Sequence, residues 1–169
     1  MIKKINAVLL TLALLVFFPV NSSLGQFIPN APFKAAHAYA PDFSLKDLQG
    51  NIFKLSNQRG KPVLIFFGTT WCPSCRNELP FYKEIYETYT KRSMEIIYIN
   101  IMESREKVAR FVKANSLPFK ILLDENGEIA TKYEVVGVPT LVLIDKERVI
   151  IKITHTTEDL PLEKLFPVK

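Results

Sequence analysis

The sequence is poor in cysteine and histidine: its 169 residues hold two of each. Two cysteines cannot build the many-bridged scaffold by which small secreted domains replace a core. A closed structural zinc site takes four Cys or His ligands. His37 and His155 are 118 residues apart, one in a proline-containing stretch and one late in the chain, so Cys72 and Cys75 have no such company and no metal is expected. The chain also lacks internal repeats, low-complexity tracts and any Lys/Arg run interleaved with aromatics. A formal net charge of +5 therefore reads as a mixed solvated surface, and no nucleic-acid partner is expected. With 48% hydrophobic and 23% charged residues the composition is that of a globular protein rather than a disordered or polytopic membrane chain.

One long apolar run is present, and it stands at the start. Lys3 and Lys4 precede residues 7–20, which are apolar apart from Thr11 and Pro19, and Asn21 to Gly25 then turn small and polar. This charged, apolar, small-residue layout predicts an export signal over residues 1–25, cut after Gly25. The run falls short of the roughly 20 residues a membrane-spanning helix needs, which favours cleavage over an uncleaved anchor that would tether the protein to the membrane. A second small-x-small site, Ala36-His37-Ala38, lies well beyond the run, and no cysteine follows it that could be lipid-modified. Residues 26–40 read as an extended linker with Pro29 and Pro32, and residues 41–169 as one domain.

Within the domain, apolar and polar residues alternate over Phe43–Leu45 and Ile52–Leu55 across the turn Asp47–Asn51, which predicts a hairpin that extends a sheet edge. Pro62–Gly68 and Met94–Ile101 are continuous apolar runs, as in strands buried on both faces. Between them Leu79, Tyr82, Ile85, Tyr86 and Tyr89 form a helical stripe from Pro73 to about Arg92, with proline at its first position. Ser104 is placed as the N-cap of a helix to Asn115. A strand over Phe119–Leu123, a turn at Asp124–Gly127 and a short helix over Glu128–Tyr133 follow. Strands over Leu141–Ile144 and Val149–Ile153 and an amphipathic helix over Asp159–Phe166 close the chain.

Cys72-Pro73-Ser74-Cys75 falls where a strand hands over to a helix. Thiol-disulfide exchange needs one cysteine held as thiolate near neutral pH and a second that resolves the mixed disulfide. A helix N-terminus stabilises the first, and Cys75, one turn in, faces back toward it. Cys72 is therefore the attacking and Cys75 the resolving thiol. A bridge across two intervening residues constrains the unfolded chain very little, so the pair is placed for chemistry rather than for stability.

Over about residues 41–167 the chain resembles the thioredoxin superfamily, and specifically its exported TlpA/ResA-like branch. The likeness rests on Lys54-Leu55-Ser56, the strand Pro62–Gly68, Trp71-Cys72-Pro73-Ser74-Cys75, Glu78-Leu79-Pro80 and Gly137-Val138-Pro139-Thr140, in that order. It implies an α/β thioredoxin-like fold: a central mixed β-sheet flanked by helices, with an N-terminal β-hairpin extension. It also implies a cis peptide bond before Pro139, substrate pairing with the Val138 backbone, and a carboxylate at Glu78 that assists proton transfer; on a helix Glu78 shares a face with Cys75. Trp71 is read as a shield over the dithiol and part of the substrate surface, or as a plain core residue.

The resemblance further implies an exported protein disulfide reductase, acting in the periplasm or on the outer face of the cytoplasmic membrane. Its partners would be exported protein thiols or disulfides, such as those of cytochrome c maturation, with a membrane thiol-disulfide transporter as electron donor. It implies no cofactor. Two departures stand out: Phe66 occupies the place of the buried Asp of cytosolic thioredoxins, and the dipeptide between the cysteines is Pro-Ser. Two rival readings share the fold. A peroxiredoxin has Thr where Thr69 stands but a proline at the place of Ile65; a Sco-type copper chaperone spaces its cysteines more widely and adds a distal histidine, for which His155 is the candidate.

Overall fold

The computed structural model describes residues 38–166. The expected export signal with its cut after Gly25, the alternative site at Ala36-His37-Ala38 apart from its last residue, and the linker up to residue 37 lie outside the described residues. Among the described residues no helix is long and apolar enough to cross a membrane.

Seven strands form one sheet. In chain order they are β1 (Ser44–Asp47), β2 (Ile52–Lys54), β3 (Val63–Gly68), β4 (Glu95–Ile101), β5 (Lys120–Asp124), β6 (Thr140–Ile144) and β7 (Ile150–Thr154). The helices are α1 (Pro73–Tyr89), α2 (Arg105–Asn115), α3 (Glu128–Lys132) and α4 (Leu162–Leu165). Across the sheet the order is β2-β1-β5-β4-β3-β6-β7. The centre, β5-β4-β3, is parallel, and β6, β7 and the hairpin add antiparallel flanks. This is the expected mixed sheet, with β1 and β2 at one edge.

Every residue of β3 is buried, as its continuous apolar run demands. Successive side chains of a strand point to opposite faces, so β3 feeds two cores. Val63, Ile65 and Phe67 pack with Ile97, Ile99, Val142 and, from α3, Ile129 and Ala130. Leu64 and Phe66 pack with Ile96, Tyr98, Leu79 and Tyr82 of α1, and Val108 of α2. Phe66, at the place of the thioredoxin Asp, is fully buried and stacks on Tyr82 with ring centroids 3.9 Å apart. Apolar packing thus takes the place of that carboxylate. Gly68, the last residue of β3, has room for nothing larger: a Cβ there would overlap the Tyr98 hydroxyl and stand 3.3 Å from Cys75 Sγ.

Three segments differ from the sequence expectations. The long helix ends at Tyr89 and runs on to Arg92 as a 3-10 turn, closed by Ser93 in the left-handed region at φ 66°. The terminal helix covers only Leu162–Leu165 rather than Asp159–Phe166. Pro161 bars its preceding residue from the helical region, and the Asp159 carboxylate is held by the Thr154 and Thr156 hydroxyls. Finally, residues 38–40, expected in the linker, already pair with the segment leading into β7. Tyr39 bridges Val149, the Ala40 N–H donates to the Arg148 carbonyl at 2.8 Å, and the Ile150 N–H donates to the Ala38 carbonyl at 2.9 Å.

Candidate active site

The last residue of β3 and the first of α1 are separated by Thr69-Thr70-Trp71-Cys72, and Cys72 is the N-cap of α1. Its extended backbone (φ −72°, ψ 116°) turns the side chain over the first helical turn, where Sγ accepts the Cys75 N–H at 3.1 Å. Pro73 at the first helical position has no N–H to satisfy and a φ preset for the helix. Cys75 follows one turn later, with a Cα–Cα distance of 5.3 Å and its sulfur at bonding distance from Cys72. Cys75 is wholly buried and Cys72 is 4% exposed, so Cys72 is the sulfur nearer the surface.

The Val138–Pro139 peptide bond is cis, and the Val138 carbonyl oxygen lies 3.6 Å from Cys72 Sγ. Two motifs 66 residues apart thereby share one edge. Glu78, one turn beyond Cys75, is half-buried, and its Oε2 accepts the Thr157 N–H at 3.1 Å and the Thr157 hydroxyl at 2.9 Å. Glu78, Ser74, Asn77, Val138, Pro139 and His155 line a cleft of 450 Å³ beside the dithiol. Trp71 is 61% exposed and is not a core residue. With Met102, Val136 and Val138 it borders a second depression, of 270 Å³, that is mainly apolar.

A buried carboxylate beneath the motif escaped the sequence reading. Glu103, 9% exposed, accepts the Thr70 N–H and the Thr70 hydroxyl, both at 2.6 Å, and the Asn100 amide at 2.9 Å. It also pairs with the Lys107 ammonium at 2.6 Å. Arg76 clasps the same loop from α1, its guanidinium donating to the Thr70 carbonyl at 2.9 and 2.7 Å. The parallel register sets Asn100 opposite Gly68, which is how β4 delivers these groups beneath the cysteines. The signals were an Asn inside an apolar strand and the Glu103/Lys107 spacing of one helical turn; Thr70, 33 residues away, is visible only once β3 and β4 pair.

Burial pushes Glu103 up, but Lys107 and the Thr70 and Asn100 donors outweigh it and hold the carboxyl below its ordinary value of 4.5. Behind the dithiol the Tyr82 and Tyr98 hydroxyls are buried without a partner, and burial above all pushes both far up, so they remain neutral.

Residues 37–153 match the model of the AhpC/TSA family. The chain is 35% identical over 167 residues to the thiol-disulfide oxidoreductase ResA of Geobacillus kaustophilus, covering 96% of this chain and 94% of that protein. The crystal structure of StoA from Bacillus subtilis is similar with a TM-score of 0.61 and 30% identity, over 70% of this chain and 90% of that one. The thioredoxin domain of a thiol-disulfide oxidoreductase from Bacteroides vulgatus gives a TM-score of 0.71 at 25% identity, over 77% and 96%.

A carboxylate whose folded-state pKa is lowered adds stability that is present above its unfolded value and lost as pH falls through the folded one. Glu103→Gln is therefore expected to cost about 1–3 kcal/mol at neutral pH. Urea unfolding of parent and variant should show that gap closing as pH falls through and below 4.5. Asp42 and Asp47, also held low, titrate in both proteins and cancel in the difference. A gap that stays constant with pH would show that ionisation of Glu103 adds nothing to stability.

Proposed function

The chain belongs to the AhpC/TSA family of thioredoxin-like proteins and is a thiol-disulfide oxidoreductase, and from that premise we propose that it reduces disulfides of exported polypeptides at Cys72 and Cys75. The observation that carries the reading is the Cys72 sulfur as helix N-cap, with the Val138 carbonyl 3.6 Å away on a second motif. Electrophilic sulfur brought to that edge meets a nucleophile the helix terminus holds as thiolate.

The Cys72 thiolate attacks one sulfur of the substrate disulfide, whose S–S bond breaks, and the departing substrate thiolate takes up a proton. The Cys75 thiol then loses its proton and attacks Cys72 Sγ, which forms the Cys72–Cys75 disulfide and releases the second substrate thiol. Two electrons from a donor dithiol reset the pair; a membrane thiol-disulfide transporter is the proposed donor. In this scheme Glu78, one turn from Cys75 and held by Thr157, relays the proton that Cys75 gives up, and Val138 with Trp71 receives the substrate chain. The layout of residues 1–25 supports export, into a periplasm or onto the outer membrane face with the N-terminus as tether. Cysteines of cytochromes c awaiting haem are the proposed substrate class. Cys75 at bonding distance favours dithiol exchange over a peroxidase built on Thr69.

Two experiments test this reading. Cys75→Ser is expected to accumulate a mixed disulfide through Cys72 with a disulfide-bonded protein such as insulin, and mass mapping of the reduced parent should find Cys72 alkylated first near neutral pH. Adducts at Cys75, or none, would contradict it. Glu78→Gln should slow exchange by roughly 10²-fold, the lower range for a lost general acid-base group, and flatten its pH profile without lowering the melting temperature appreciably. Unchanged rates over about pH 5 to 9 would return Glu78 to an ordinary half-buried carboxylate.

A further inference from the structure

The segment after β7 ties the two halves of the site together. The Thr154 and Thr156 hydroxyls donate to Asp159 Oδ2 at 3.0 and 3.1 Å, which folds it into a compact turn. From this turn Thr157 reaches Glu78 on α1, and His155 reaches the loop before β6, its Nδ1 2.7 Å from the Pro139 carbonyl oxygen. A carbonyl can only accept, so Nδ1 carries the proton, and in the neutral ring Nε2 is left as a bare acceptor. The His155 ring is exposed along the 450 Å³ cleft. Glu78 lines the same cleft, and Thr157 takes up its Oε2, leaving Oε1 without a partner among the described residues.

Two acceptors, one of them a carboxylate, thus line one cleft with Ser74 and Asn77, and its rim includes Val138, beside Cys72. On the other side the depression bordered by Trp71, Met102 and Val136 is apolar. The dithiol therefore sits between a cleft that mixes polar and apolar side chains and a depression that is mainly apolar.

We propose that the cleft is a subsite for a basic side chain, Lys or Arg, that flanks the attacked cysteine of the substrate polypeptide. This rests on the oxidoreductase reading above and adds a sequence preference to it. An ammonium or guanidinium brings donors only, matching Nε2 and the Glu78 oxygen, and its charge complements the carboxylate. An acidic side chain would set acceptors against acceptors and repel Glu78.

The test uses the full chain and short peptides that contain one Cys-x-x-Cys disulfide, with Lys or Glu at each of the two positions on either side of the cysteine pair. His155→Asn is the informative variant. Its amide can still donate to the Pro139 carbonyl, but it offers no acceptor at the place of Nε2. For the parent, one position is expected at which Lys exceeds Glu about 10-fold or more in kcat/KM. In His155→Asn that ratio should fall to about 3-fold or less, while its melting temperature matches the parent. A parent ratio below about 2-fold at every position overturns the subsite even if the variant misfolds, as does a preference that a folded His155→Asn retains. Failure of the parent to reduce any peptide sinks the reductase reading on which the subsite rests.

Discussion

The hydrogen bond from the Cys75 N–H to Cys72 Sγ, 3.1 Å long, does two jobs with one sulfur. It satisfies an N–H that the start of any helix leaves without an internal partner, and it is the N–H that the proposed Cys72 thiolate would accept once the pair is reduced. Serine, threonine, aspartate and asparagine are the favoured helix caps; here the cap is the cysteine proposed as nucleophile, so in that proposal the groups that begin α1 also set its reactivity. The rest of the site keeps this cap in place. Gly68 lets the strand end against Tyr98 and Cys75, Glu103 and Arg76 hold the Thr70 backbone from two sides, and Val138 closes over the sulfur.

Protonation is partitioned by depth. Glu103 is fixed as an anion by Lys107 and the Thr70 donors and serves the loop that carries the motif. Tyr82 and Tyr98 stay neutral and line the dry side of the dithiol, while Phe66 removes the carboxylate that cytosolic thioredoxins keep in β3. Glu78 is left at the boundary, half-buried on the cleft side and anchored by Thr157. The exposed side of the dithiol is also where His155 and the loop before β6 meet.

Much of this was legible in the residues. Period-2 and continuous apolar runs located all seven strands, because burial on one or two faces writes itself into local composition. The two cysteines stood out by being the only two. Resemblance supplied the cis bond before Pro139, which spacing alone does not reveal. What stayed hidden depends on contacts between distant residues. Glu103, just ahead of the expected helix, drew no reading until β4 paired with β3, and His155, raised only as the distal histidine of a Sco-type site, is placed by the turn that folds back on Pro139. The shortened α4 was readable in principle, since Pro161 lies inside the expected helix, but the apolar stripe drew the boundary outward.

The direction of exchange rests on how strongly the thiolate is stabilised. Pro73 and Ser74 put no charge between the cysteines, so a Cys72 thiolate would rely on the helix terminus, worth about 0.3 to 1 kcal/mol at exposed sites and up to about 2 kcal/mol at partly buried ones. Strong stabilisation of the thiolate would favour the reduced form and make the protein an oxidant, at roughly 30 mV for each 1.4 kcal/mol. Equilibration of the full chain against a dithiothreitol or glutathione series reads this balance directly. A two-electron potential close to the roughly −270 mV of thioredoxin is the expected result. A value more positive than about −180 mV, the level of a disulfide isomerase, would contradict the account of Cys72 as a reductant held only by its helix.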